Sequence, residues 1–151
     1  MIIISFILEG ILNSVLYKLI PLFTLTSIVT TSYYYKKDVT IKYSVLIGLL
    51  YDITYTNTVI LNSVIFFIIA FVIIFYNKNV KKSLLNLIIL NIISIIFYLI
   101  FTYFLQLLFN YINFDLKKLT SSVIKSITVN TIYLLIMSII LKNKLFKYSY
   151  S

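Results

Sequence analysis

No charged residue occurs between Lys82 and Asp115. That run, from Leu84 to about Ile112, exceeds the roughly 20 residues a helix needs to cross the hydrocarbon core of a bilayer. Five further apolar runs accompany it. They cover Ile2 to about Tyr17, the stretch after Lys18 to Tyr35, a short one from Val39 or Tyr43 to Ile53, Val59 to Tyr76, and Ser122 to Leu141. Hydrophobic residues make up 62% of the 151 residues and charged residues 11%. A soluble domain carries about 25% charged residues and has no surface for so much Ile, Leu and Phe. The expected fold is therefore all-α: a polytopic membrane protein, one transmembrane domain over 1–151, built as a compact bundle of about six transmembrane helices.

Punctuation between the runs supports that count. Pro21 is expected in the first turn of the second helix, where a missing N–H costs nothing. Tyr33, Tyr34 and Tyr35 read as an interfacial aromatic belt. The polar stretch Asp52 to Thr58 reads as a tight turn into the fourth span, and the long fifth run is expected to tilt or to lie partly along the interface. Six helices with both termini in the cytoplasm place Lys36, Lys37, Lys42, Lys78, Lys81, Lys82, Lys142, Lys144 and Lys147 inside. Lys18, Lys117, Lys118 and Lys125 fall outside. The excess has the sign of the positive-inside rule, whereas merging the second and third runs would spoil it. The first run lacks a basic leader and a small-residue cleavage site, so it reads as a retained helix.

Chemistry-bearing residues are few. The chain has no Cys and no His, which removes thiolate ligands and the usual neutral-pH acid–base group. No metalloprotease, nucleophile-elbow or phosphate-loop motif occurs, so an enzyme is not expected, nor a metal or cofactor. A net charge of +9 would suggest nucleic-acid binding in a soluble chain. Here the lysines punctuate apolar runs and read as topology control. Glu9 lies about 12 Å along the first helix at about 1.5 Å per residue. It should face the bundle, as a structural contact between helices or as a site for a partner helix or ligand. Asp52 closes the sequence Gly48-Leu49-Leu50-Tyr51-Asp52-Ile53, in which glycine permits close helix approach and aspartate caps or turns. Asn62, Ser63, Asn86, Asn91 and Asn130 are polar groups at membrane depth, which most often join helices. Asp38 and Asp115 read as solvated loop residues.

Pro21 at a helix start, the basic link Lys36-Lys37, the Gly48–Ile53 segment and then Ile60-Leu61-Asn62-Ser63-Val64 follow one another in an order that resembles the rod shape-determining protein MreD family. Leu8-Glu9 matches the position in the first helix where that family commonly has Leu-Gln or a similar polar residue. The resemblance covers the whole chain in length and hydropathy, with its specific residues between positions 8 and 66. The glycines usual around the family's fourth helix are replaced here. The resemblance implies a non-enzymatic subunit of the bacterial cell-elongation complex, or elongasome, in the cytoplasmic membrane. Its implied partners are an MreC-like single-pass protein, RodA with a penicillin-binding protein, and a second copy of itself. Glu9, Gly48, Asp52 and Asn62 are the expected helix–helix or partner contacts. The fold is also similar to substrate-binding subunits of energy-coupling-factor vitamin transporters, which gives the alternative function.

Overall fold

The computed structural model describes residues 1–15, 20–35, 37–56, 60–78, 80 and 83–148. Lys18, Lys36, Lys81 and Lys82, on which the charge asymmetry partly rests, lie outside them. Six α-helices and no strand occur among the described residues: α1 Ile2–Val15, α2 Phe23–Tyr34, α3 Lys37–Tyr51, α4 Leu61–Tyr76, α5 Leu84–Leu108 and α6 Leu116–Tyr148. The second and third runs form separate helices. Two stretches, Leu84–Leu108 and Leu116–Ile140, are long and apolar enough to cross a membrane.

Several boundaries depart from the sequence expectation, each for a local reason. Pro21 precedes α2, because Leu22 is the N-cap and the helix begins at Phe23. The segment Asp52–Thr56 is no tight turn but a π-helical continuation of α3; residues 57–59 of the expected turn lie outside the described residues. The fifth run stops at Leu108 because Asn110 adopts a left-handed φ of 57°. Asn110 N–H then donates to Leu107 O and Tyr111 N–H to Gln106 O, the paired bonds of a Schellman C-cap. Asn110 tolerates that conformation better than most residues. The last helix starts six residues earlier than expected, at Leu116. Asp115 is its cap rather than a free loop residue, with Oδ1 accepting Lys118 N–H at 3.0 Å.

α2 is the hub. It packs against each of the other five helices, and all its residues but Thr31 and Tyr34 are buried. Its sequence, FTLTSIVTTSYY, is poor in large aliphatics, and that suits a helix surrounded by others. Thr30 donates to Thr26 O, Ser27 to Thr24 O and Thr31 to Ser27 O. Those three hydroxyls are satisfied within the helix, Thr26 Oγ1 donates to Asn130 Oδ1 of α6, and small side chains let neighbours approach closely. Around α2 the apolar core runs through Leu25, Ile28, Val29, Ile65, Phe66, Ile69, Leu87, Ile95 and Leu134.

Alternate helix ends gather at opposite poles of the bundle. At one pole Met1, Tyr35, Val39 and Ile140 line a common crevice, while Tyr33 Oη joins the end of α2 to Ser83 at the start of α5. At the other, Ile20 meets the end of α5 and the start of α6. The sides are strongly apolar. Ile3, Ile7, Ile11, Leu46, Leu50, Val72, Phe75, Leu85, Ile93, Ile132 and Ile136 are all exposed, whereas seventeen polar or acidic residues among those described are buried.

Candidate functional site

The polar interior is organised about two carboxylates, and each meets a helix N-terminus. An α-helix begins with backbone N–H groups that have no partner inside it and carry partial positive charge. Glu9, fully buried on α1, accepts Thr24 N–H of the first turn of α2 on Oε2 at 2.7 Å. Its other oxygen, Oε1, accepts Tyr51 Oη from α3 at 2.6 Å. Asn130 of α6 completes the end of α2, its Oδ1 accepting Leu22 N–H at 2.9 Å. Ser126 Oγ donates to Ile20 O at 3.1 Å. The irregular backbone at residues 20–22 is thereby held by α6.

Asp52, equally buried, does the corresponding work for α4. Oδ1 accepts Asn62 N–H at 3.0 Å and Asn62 Nδ2 at 2.8 Å. Oδ2 accepts Ser63 N–H at 3.2 Å. Ile60, the N-cap, cannot cap with its own side chain, so the aspartate of the preceding π turn supplies the acceptors that Ser, Thr, Asp or Asn would normally give there. Asn62 Oδ1 in turn accepts Tyr98 Oη from α5 at 2.8 Å. Tyr51, Phe66 and Tyr98 fill the space between the two clusters, with ring centroids 5.4 Å and 6.1 Å apart in succession.

Gly48 sits at the closest approach of α3 and α4. A Cβ there would lie 2.3 Å from Ser63 Cα, 2.7 Å from Ser63 N and 2.9 Å from Asn62 O. Ser63 Oγ donates to Val45 O across the same crossing at 3.1 Å. Gly10, one residue beyond Glu9, instead faces a side chain: a Cβ would meet Tyr55 Oη at 2.5 Å, and that hydroxyl donates to Phe6 O.

The four residues singled out from sequence thus lie in one connected interior. Gly48, Asp52 and Asn62 share the α3–α4 crossing, and Glu9 is tied to that helix pair through Tyr51. They are helix–helix contacts within this chain. None presents surface to a partner, since Glu9, Asp52 and Asn62 are at most 1% exposed and Gly48 is covered by Ser63. Tyr51, Tyr98 and Thr24 were not singled out. A signal for the first two existed: Tyr51 stands three residues from Gly48, on the same helix face, and Tyr98 is a phenol deep inside an uncharged run, where its hydroxyl needs a partner. Asn91, buried on α5, has no hydrogen-bond partner for either amide atom. Among the described residues no group of three or more His, Cys, Asp or Glu could hold a metal ion. No protein-family model matches the chain, and no curated protein or solved structure does.

Proposed function

We propose that the chain is a six-span integral membrane subunit with a scaffolding role, of the MreD type that its ordered sequence motif resembles. One observation carries the membrane reading: the molecule is apolar on its sides while polar and acidic side chains are buried within its core. In water, the exposed Ile, Leu and Phe side chains on the five helices around α2 would be a severe liability. In lipid that surface is solvated, and the buried Ser, Thr, Asn, Glu and Asp act as interhelical joints. Four helices are shorter than a perpendicular crossing requires; local bilayer thinning and snorkelling lysines accommodate such spans. The non-helical backbone at Ile20–Leu22 is tolerable in a membrane because Asn130 and Ser126 satisfy it.

The scaffolding part rests on the motif and on how the acidic groups are used. Both buried carboxylates are engaged in capping helices, which suits a rigid packing module within a multi-protein complex. A vitamin-binding subunit would instead turn several polar groups toward an enclosed cavity. In this role the chain sits in the cytoplasmic membrane of a bacterium with both termini inside, beside an MreC-like single-pass protein and the RodA–penicillin-binding-protein synthase. Co-purification from mild detergent with the MreC-like protein of the same cell tests it. A retained complex, with rounded cells on depletion of the chain, is the expected result. Absence of any complex together with unchanged cell shape would remove the reading, and a stoichiometric vitamin on the purified protein would replace it. Because the chain has no cysteine, single cysteines give topology directly. Lys37→Cys is expected to resist an impermeant thiol reagent in intact cells, and Lys117→Cys to react.

A further inference from the structure

A cavity of about 470 Å³ lies where the end of α5 and the start of α6 meet the backbone before α2. Its lining is divided by chemistry. It is open to the surface: Ile20, Leu99 and Leu119 give it an apolar wall, while Gln106, Asp115 and Lys118, all exposed, bring an amide, a carboxylate and an ammonium to it. The two charges are not spent on each other. The bond between these residues is backbone Lys118 N–H to Asp115 Oδ1, and among the described residues no ion pair joins their side chains. The loop is pinned, because Tyr103 Oη accepts Asp115 N–H at 2.6 Å. Ile20 holds a left-handed φ of 48°, a costly conformation for a β-branched residue before proline. In the α5–α6 link, Phe109, Tyr111 and Phe114 are among the most exposed side chains of the molecule, as expected of aromatics at a lipid–water boundary.

We infer that this cavity binds a zwitterionic phosphoamine headgroup of the phosphoethanolamine class. Its phosphate would meet Lys118 and the Gln106 amide, its ammonium would meet Asp115, and the glycerol end of a lipid would lie on the apolar wall. An anionic headgroup would satisfy Lys118 but leave Asp115 facing like charge. The lipid form of the ligand rests on the membrane reading above; the zwitterion preference does not.

The test is native mass spectrometry of the full chain in mild detergent, titrated with phosphatidylethanolamine, phosphatidylglycerol or soluble phosphoethanolamine. Phosphatidylethanolamine should be retained about fivefold better than phosphatidylglycerol, the ratio expected of one partly exposed ion pair. Asp115→Asn keeps a good helix cap and should abolish that preference, while Lys118→Gln should weaken both lipids. Soluble phosphoethanolamine displacing the lipid at equal concentration would keep the site but make its ligand a free zwitterion. Equal retention of both lipids by the unaltered chain, or a preference that survives Asp115→Asn, would overturn the inference. A chain monodisperse without detergent would defeat the membrane reading alone, and the soluble headgroup would then decide the site.

Discussion

Replacing Gly48 by alanine adds one methyl group at the place where α3 and α4 come closest. That carbon would sit 2.3 Å from Ser63 Cα, whereas carbon atoms rest at about 3.5–4.0 Å. The helices must part by more than an ångström there. The same displacement pulls Asn62 N–H and Ser63 N–H, now 3.0 and 3.2 Å from Asp52, out of bonding range. Overpacking costs about 1–3 kcal/mol, and a lost cap costs about 1 kcal/mol more. Alanine's better helix propensity offsets about 1 kcal/mol. A net loss of about 1–3 kcal/mol is a factor of about 5–150 in the folding equilibrium, at about 1.4 kcal/mol per tenfold. Reversible unfolding in mixed micelles by titration with a denaturing detergent would measure it. The obstructing atoms are backbone, so no substitution at position 62 or 63 should restore stability. Gly10→Ala provides the contrast. Its obstruction is the Tyr55 hydroxyl, so Tyr55→Phe should turn that alanine from harmful to neutral or better. Gly48→Ala as stable as the parent, or rescued by Ser63→Gly, would refute the reasoning.

Glu9→Ala should destabilise by about 2–4 kcal/mol in the same titration, because it strands Tyr51 Oη and Thr24 N–H in the interior; Glu9→Gln, which keeps one acceptor, should lose less. Asp52→Ala should cost about 1–2 kcal/mol by uncapping α4, and faster amide exchange at Asn62 and Ser63 should accompany it. Asn91→Leu should be neutral or stabilising by up to about 1–2 kcal/mol, since both amide atoms are now buried without partners. A loss above that range would mean that the amide is in use.

The helical class could be read from the apolar runs, and the importance of Gly48, Asp52 and Asn62 from their spacing around one helix pair. Hidden from sequence were the features fixed by distant groups. α2 starts at Phe23 because Asn130, 108 residues away, caps the backbone before it. The π turn exists because Asp52 must reach the first N–H groups of α4. Asn110 ends α5 through a backbone conformation that hydropathy does not register. The signals for Tyr51 and Tyr98 were diluted by composition: among fourteen tyrosines, two carry the central hydrogen bonds.

The dependence of α2 on α6 has a consequence for how the chain is made. Ribosomes add about 5–20 residues per second, so roughly 5–20 s separate the emergence of Leu22 from that of Asn130. Throughout that interval Leu22 N–H lacks the acceptor it has in the finished bundle, and lipid offers none, although Glu9 is already available to Thr24 N–H. On the proposed membrane reading, a hydroxyl-rich segment in that condition must wait in the headgroup region or be sheltered by the insertion machinery until the last helix arrives. Chains released before α6 are therefore expected to be cleared by membrane proteases rather than to accumulate as shortened bundles.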